Sequence, residues 1–298
     1  MRGDEAQSYG RPRAPVNVAA EATVGAGGPP MAEHRLTAPT SRWFSHFFLL
    51  RELVRRDFAG RYAGSRLGFL WSFAQPAWQL LLFSFVFSTV LRVTPVGAHT
   101  DRFWIFLFCG LLPWIGVQEG IMRGSTAITD NANLVKKLRF PSEILVLTVT
   151  LTAFVHQCIA GTVFLGVLAA VGELSWATLP WLLPAVVLQL ALTFGLSLLL
   201  AALQVFLRDL AQVLGMALAA WFYLTPIVYP VAAVPLPYRR WIELNPLTGL
   251  VELYRRALLG GGGESIPGVP VLAVTALLLL VTGAAVFRRL RANFADEI

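Results

Sequence analysis

The feature that most constrains this chain is a series of long stretches from which charge is almost absent. They lie between Arg66 and Arg92, from Phe103 to about Met122, between Glu143 and Glu173, between Glu173 and Arg208, between Asp209 and Arg239, and between Glu264 and Arg288. Each matches the roughly 20 apolar residues that cross a bilayer core. The reading is therefore an all-α polytopic membrane protein with six transmembrane helices. Composition agrees, since 56% of the 298 residues are hydrophobic and 14% charged, against about a quarter charged in soluble domains. Nine Trp and twenty Phe would leave large apolar patches on a water-soluble fold of this length. The two cysteines, Cys109 and Cys158, sit in apolar runs without metal-ligand spacing and read as buried free thiols, which excludes a disulfide scaffold. The net charge of +7 does not indicate nucleic acid, because Arg and Lys cluster beside the apolar runs, where they orient membrane helices.

Residues 1–40 are rich in Pro and Gly and poor in aromatics, so they read as a disordered tail, with Met31 an alternative start. Residues 41–66 read as an amphipathic interface helix. Phe47, Leu50, Val54, Phe58 and Tyr62 recur every three or four positions, while Glu52, Arg55 and Arg56 project elsewhere. A short helix packed on a soluble domain is the alternative. The six-span body then occupies 67–298. An even number of spans places both termini on one side, and the arginines and lysines before span one, between spans two and three, and after span six make that side cytoplasmic. Arg239, Arg240, Arg255 and Arg256 oppose the rule. Their segment, 230–262, is broken by Pro230, Pro235, Pro237 and Pro246, and its apolar run from Leu247 to Leu259 is too short and too charged to span. A re-entrant pair of half-helices fits, and an outer loop with a surface helix is the alternative.

Catalytic constellations are scarce: the four His are dispersed, and no Ser-His-Asp set or carboxylate pair falls in one neighbourhood. Gly260 to Gly263 lack the Lys-Ser/Thr ending of a phosphate loop and read as a turn. Any uphill transport then needs ATP and Mg²⁺ on another chain, with no cofactor or metal in this one. Glu119 and His156 sit at membrane depth and invite either a transport role or helix-helix hydrogen bonding. The loop 124–143 carries Asp130, Asn131 and Asn133, which are helix-capping types, and Pro141, which stops the turn before span three. A short helix is expected there, its edge of Leu134, Val135 and Leu138 framed by Lys136, Lys137 and Arg139. That edge suits a partner's groove or lipid headgroups.

Four segments together resemble a known family. They are RRDFAGRYAGSRLGFLWSFAQP at 55–76; FLFCGLLPWIGVQEGI at 106–121 with DNANLVKKLRFPSEIL at 130–145; LRDLAQVLGMALAAWFYLTPIVYP at 207–230; and LNPLTGLVELYRRALLGG at 244–261 with the closing FADEI. The chain resembles the permease subunits of ABC exporters that move lipid-linked polysaccharides, O-antigens and teichoic acids. The resemblance implies a homodimeric six-span permease in the bacterial cytoplasmic membrane, joined to two copies of a soluble ATPase. It implies that Asn131, Asn133, Leu134, Val135, Lys136, Lys137, Arg139, Phe140 and Pro141 form the coupling helix and its flank. It also makes the helix before span one a gate and the segment after span five re-entrant.

A gate for a lipid-linked sugar must attract a pyrophosphate at headgroup level, and Arg55, Arg56, Arg61 and Arg66 are the available cations. Orientation of span one would equally explain them. Trp71, Phe73, Trp78, Trp221, Phe222 and Tyr223 suit a conduit in which sugar rings stack, and equally suit an interfacial aromatic belt. Two other classes compete: a membrane-embedded transferase, for which clustered carboxylates are missing, and a proton-coupled flippase, for which internally repeated halves are missing.

Overall fold

The computed structural model describes residues 39–62, 68–92, 100–137, 141–261 and 266–298, and every regular element among them is helical. The chain divides into a short N-terminal unit, Met1–Arg42, and a body, Trp43–Ile298. The tail expected over residues 1–40 falls outside the described residues up to residue 38. Helix α1 spans Pro39–Tyr62 and α2 Trp71–Phe83, the latter running on through a π-helical segment, Ser84–Val90. There follow α3 (Phe103–Thr126), α4 (Ala132–Lys137), α5 (Glu143–Val171), α6 (Leu182–Phe206) and α7 (Leu210–Leu224). The last four are α8 (Leu236–Glu243), α9 (Pro246–Leu259), α10 (Gly268–Leu290) and α11 (Phe294–Glu297).

Four helical stretches among the described residues are long and apolar enough to cross a bilayer: Phe103–Thr126, Glu143–Val171, Leu179–Phe206 and Gly268–Glu297. The apolar stretches Ala77–Val90 and Leu210–Leu224 are shorter. At about 1.5 Å per residue, α7 rises roughly 22 Å, less than the roughly 30 Å hydrocarbon core. The fifth apolar run is thus not one continuous helix: α7 ends at Leu224, and helix resumes only in short pieces from Val231. Thr225 turns to extended backbone (ψ 135°), as expected before Pro226, whose ring disfavours a helical predecessor.

Helix α3 is the centre of the body. Of its apolar stretch 78% is buried, against 22% for α5 and 17% for α10, and α5, α6, α7 and α9 all pack on it. Helix α10 packs on α6 and α9. Helices α6 and α10 approach closely at Gly195 and Gly283, where a Cβ on Gly195 would lie 2.5 Å from the Leu280 nitrogen and 2.6 Å from the Leu279 carbonyl carbon. Small residues let membrane helices meet backbone to backbone. Gly195→Leu should therefore separate α6 from α10 and lower the melting temperature of the detergent-solubilised protein, the penalty being at least the roughly 1–3 kcal/mol of ordinary overpacking. A melt matching that of the unmodified protein would refute the contact.

Helix α11 returns to the end that carries α4. Phe294 lies in one apolar cluster with Ala127, Ile128, Leu145, Val146 and Phe287, against which Leu134 and Val135 pack. The opposite end carries α8 and α9. Both ends of α9 are tied there: Gly249 sits against Gly268 at the start of α10, and the Leu258 carbonyl accepts from the Ser175 amide beyond the end of α5 (3.0 Å). Both termini of α9 are therefore anchored at that end. Cys109 is buried as expected, but Cys158 is exposed, on the outward face of α5. An apolar run does not distinguish a helix's protein-facing side from its lipid-facing side, because both are apolar.

Candidate functional site

At the α4 end, side chains from three helices form a chain of ionisable groups. Arg123, near the end of α3, donates through Nη2 to both carboxylate oxygens of Asp57 on α1, at 2.6 and 2.7 Å. Its Nη1 lies 3.7 Å from Glu119 Oε1, one turn back along α3. Glu119 Oε2 in turn lies 3.0 Å from His156 Nδ1 on α5. Glu119 and His156 thus meet across two helices, which satisfies polar groups at membrane depth. Asp57 was invisible to the sequence reading. It shares the inward face of α1 with the half-buried Leu53, Val54 and Phe58, whereas Phe47, assigned to the apolar face, is 70% exposed.

Beside this chain opens a cavity of about 530 Å³. Leu53, Arg56, Asp57 and Gly60 of α1, Arg123 of α3, Asn131 and Leu134 beside and within α4, and Leu145, Thr148 and Val149 of α5 line it. The interface helix, the central helix and the short α4 therefore share one space. Of the arginines proposed for phosphate, Arg56 lines this cavity, while Arg55 is exposed and 3.9 Å from Glu52. The Arg61 side chain and the whole of Arg66 lie outside the described residues.

Helix α4 forms where a short helix was expected, but its neighbours differ from the sequence reading. The Asn131 side chain does not cap it. Asn131 Nδ2 donates back to the Ala127 carbonyl at 2.9 Å, satisfying the end of α3, while the Asn131 carbonyl accepts from the Leu134 and Val135 amides that open α4. Leu134 and Val135 are half-buried on the chain's own cluster around Phe294, and Lys136 donates to the main-chain oxygen of Ile298. A third option, besides a partner's groove and lipid, thus occupies the apolar edge: the chain's own C-terminal helix. Among the described side chains of α4, Asn133 and Lys136 are exposed. The Lys137 side chain, Leu138, Arg139 and Phe140 lie outside the described residues, and Pro141 is half-buried, its carbonyl accepting from the Ile144 amide.

Midway along α3, three polar side chains from three other helices form a closed knot. Gln157 Nε2 on α5 donates to Gln189 Oε1 on α6 (3.1 Å) and to the Tyr254 hydroxyl on α9 (3.0 Å). Gln189 Nε2 returns a bond to Gln157 Oε1 (2.5 Å), and the Tyr254 hydroxyl donates to Gln189 Oε1. All three residues are buried. Gly116 makes the space, since a Cβ there would come within 2.8 Å of the Gln157 amide carbon. Because one deletion strands the other two groups, Gln189→Leu should cost roughly 1–3 kcal/mol in detergent stability, measurable as a lower unfolding midpoint. An unchanged midpoint would show that the knot is not a structural element.

At the α8 end, Trp221 Nε1 donates to Asn245 Oδ1 (2.9 Å), which also accepts from the Leu247 amide (3.1 Å) and so caps α9. Trp221, Leu224, Trp241, Ile242, Leu244, Asn245 and Pro246 line a second cavity of about 350 Å³. Of the aromatics assigned to a conduit, Trp71, Trp78 and Tyr223 are exposed and Trp221 is half-buried. Phe222 is buried, its ring stacked on Phe83 (5.5 Å between centroids) and set against Trp114 (5.4 Å). The Phe73 side chain lies outside the described residues.

A helical body with four bilayer-length spans, a short helix α4 packed with the C-terminus at one end, and helices α8 and α9 at the other defines a polytopic membrane protein. The chain belongs to the ABC-2 type transporter membrane family, whose model matches residues 49–259. It is 33% identical to the O-antigen export system permease protein RfbA of Myxococcus xanthus over 84% of this chain and 95% of that protein. It is 30% identical to the RfbA permease of Klebsiella pneumoniae over the same shares. Identity to the polysialic acid transport protein KpsM of Escherichia coli is 24%, over 79% and 91% of the two chains.

Proposed function

We propose that this chain is the permease subunit of an ATP-driven exporter that moves a lipid-linked polysaccharide, such as an O-antigen or cell-wall galactan, across the bacterial cytoplasmic membrane. The observation that carries the reading is the match to O-antigen export permeases over 95% of their length, so that the likeness takes in the whole membrane body rather than one motif. Two copies of the chain form the translocation path, and two soluble ATPase subunits bind ATP and Mg²⁺ beneath it. The shorter helices α2 and α7 complete six spans per protomer, with both termini cytoplasmic. Their exposed Trp78, Leu81, Val213 and Met216 suit lipid or the second copy.

The loop 124–143 with α4 is the coupling element, presenting Asn133 and Lys136 to the ATPase. Segment 230–262 is re-entrant from the outer side, a reading supported by the attachment of both ends of α9 at the end away from α4. Trp71, Trp78, Trp221 and Tyr223 offer faces on which sugar rings stack. The reading is tested by deleting the gene and following the polymer: lipid-linked glycan should accumulate inside the membrane, and the plasmid-borne gene should restore surface polymer. Normal surface polymer in the deletion strain would overturn it.

A further inference from the structure

The Asp57–Arg123 pair is incomplete in a way that points to a ligand. One guanidinium nitrogen, Nη2, serves both oxygens of Asp57, while Nη1 is buried and makes no hydrogen bond. Nη1 stands 3.7 Å from Glu119 Oε1, within ionic range but beyond a hydrogen bond. Arginine normally recognises an oxyanion through two parallel N–H donors, and here the second makes an ionic contact with Glu119 but no hydrogen bond. Arg123 and Asp57 both line the cavity of about 530 Å³, and Arg56 enters it from the next position on α1. The remaining lining, Leu53, Leu134, Leu145 and Val149, is apolar, as suits the first part of a hydrocarbon chain behind a charged head.

Resting on the export reading above, we propose that Arg123 is the residue that receives the diphosphate of the lipid carrier, and that Asp57 is its resident competitor, a carboxylate that must yield before the carrier's headgroup seats. Asp57 brings one negative charge and engages one nitrogen. A prenyl diphosphate brings at least two charges and enough oxygens to accept from Nη1 and Nη2 together while reaching Arg56. The exchange therefore favours a diphosphate over the singly charged phosphodiester of a bulk phospholipid. Because Asp57 belongs to α1 and Arg123 to α3, the exchange also releases a tie between the interface helix and the central helix, so headgroup recognition and movement of α1 become one event. Arg123 thus sets specificity, and Asp57 sets the threshold that an anion must exceed.

The test uses the permease with its ATPase in phosphatidylcholine nanodiscs and radiolabelled farnesyl diphosphate as the probe. Asp57→Asn should tighten binding about tenfold and Arg123→Gln weaken it at least as much, a change of about 1.4 kcal/mol each. Arg123→Lys, which keeps the charge but not the paired donors, should also bind more weakly than the unmodified protein. The deciding arm is the double variant: Asp57→Asn should give no gain in the Arg123→Gln background, nor more than a small one in Arg123→Lys should the glutamine variant fail to fold. An equal gain in either background would mean that Asp57 acts only as a local charge, and would overturn the exchange. Nanodiscs with one lipid in five replaced by phosphatidylglycerol should leave the dissociation constant within about twofold; displacement of the diphosphate by phosphatidylglycerol would assign the site to bulk lipid and overturn the carrier assignment. If the gene complements the deletion strain but the protein binds no farnesyl diphosphate, this inference fails while the export reading stands; failure of complementation overturns the export reading itself.

Discussion

Replacing Arg255 by methionine is expected to destabilise the α8 end of the protein by about 3–5 kcal/mol, the loss typical of breaking a buried charge arrangement from one side. Arg255 is 6% exposed. Its Nη2 donates to the Ile227 carbonyl (2.8 Å), which holds the irregular segment after α7 onto α9, and its Nη1 pairs with Glu252 (2.8 Å). The guanidinium lies 3.6 Å from the centroid of the Phe106 ring on α3, so one side chain joins three parts of the fold. Gly110 gives it room, since a Cβ there would be 3.1 Å from Nη2. In the methionine variant the Ile227 carbonyl and the Glu252 carboxylate are left without their donor. Scaling from the per-residue unfolding entropy of soluble domains, the melting midpoint should fall by roughly 5–8 °C. Arg255→Lys should recover only part of this, because an ammonium cannot stack flat on Phe106 while reaching two acceptors. A methionine variant that melts with the unmodified protein would show that the arginine is dispensable to the fold.

The second large effect concerns the contact with the ATPase. Asn133→Trp is expected to lower recovery of the ATPase in pull-downs at least tenfold, or about 1.4 kcal/mol of association free energy, while leaving insertion and melting of the permease unchanged. Asn133 is the position to use because it is exposed on α4, whereas its neighbours Leu134 and Val135 support the chain's own cluster around Phe287 and Phe294. Leu134→Asp would place a carboxylate against that cluster, and loss of the partner would then be inseparable from local unfolding. Full recovery of the ATPase with Asn133→Trp would remove α4 from the interface.

The helical class, the family and the position of α4 were legible in the chain before any coordinates, and for one reason. Apolar runs as long as a bilayer is thick, the LVKK segment bounded by Asn and Pro, and prolines that interrupt helices are all local signals, and the backbone answers them locally. The arginines that defied the charge rule were also visible as an anomaly, since Arg239, Arg240, Arg255 and Arg256 fall in a segment broken by proline.

What the sequence could not reveal is which polar residue meets which. Glu119 and His156 are 37 positions apart, Gln157 and Tyr254 are 97 apart, and Asp57 and Arg123 are 66 apart, and no spacing rule links such pairs. In water, burial itself marks the inner face of a helix; in lipid, both faces of α5 carry apolar residues, so Val163 and Phe164 look alike in sequence although one is exposed and the other buried. Sequence alone determined that the chain spans a membrane and where its helices break. Only the tertiary structure decided that Arg123 pairs with Asp57 beside a cavity and that Arg255 is buried over Phe106, because those pairings depend on helix rotation and packing, which an apolar solvent leaves unmarked in the local pattern.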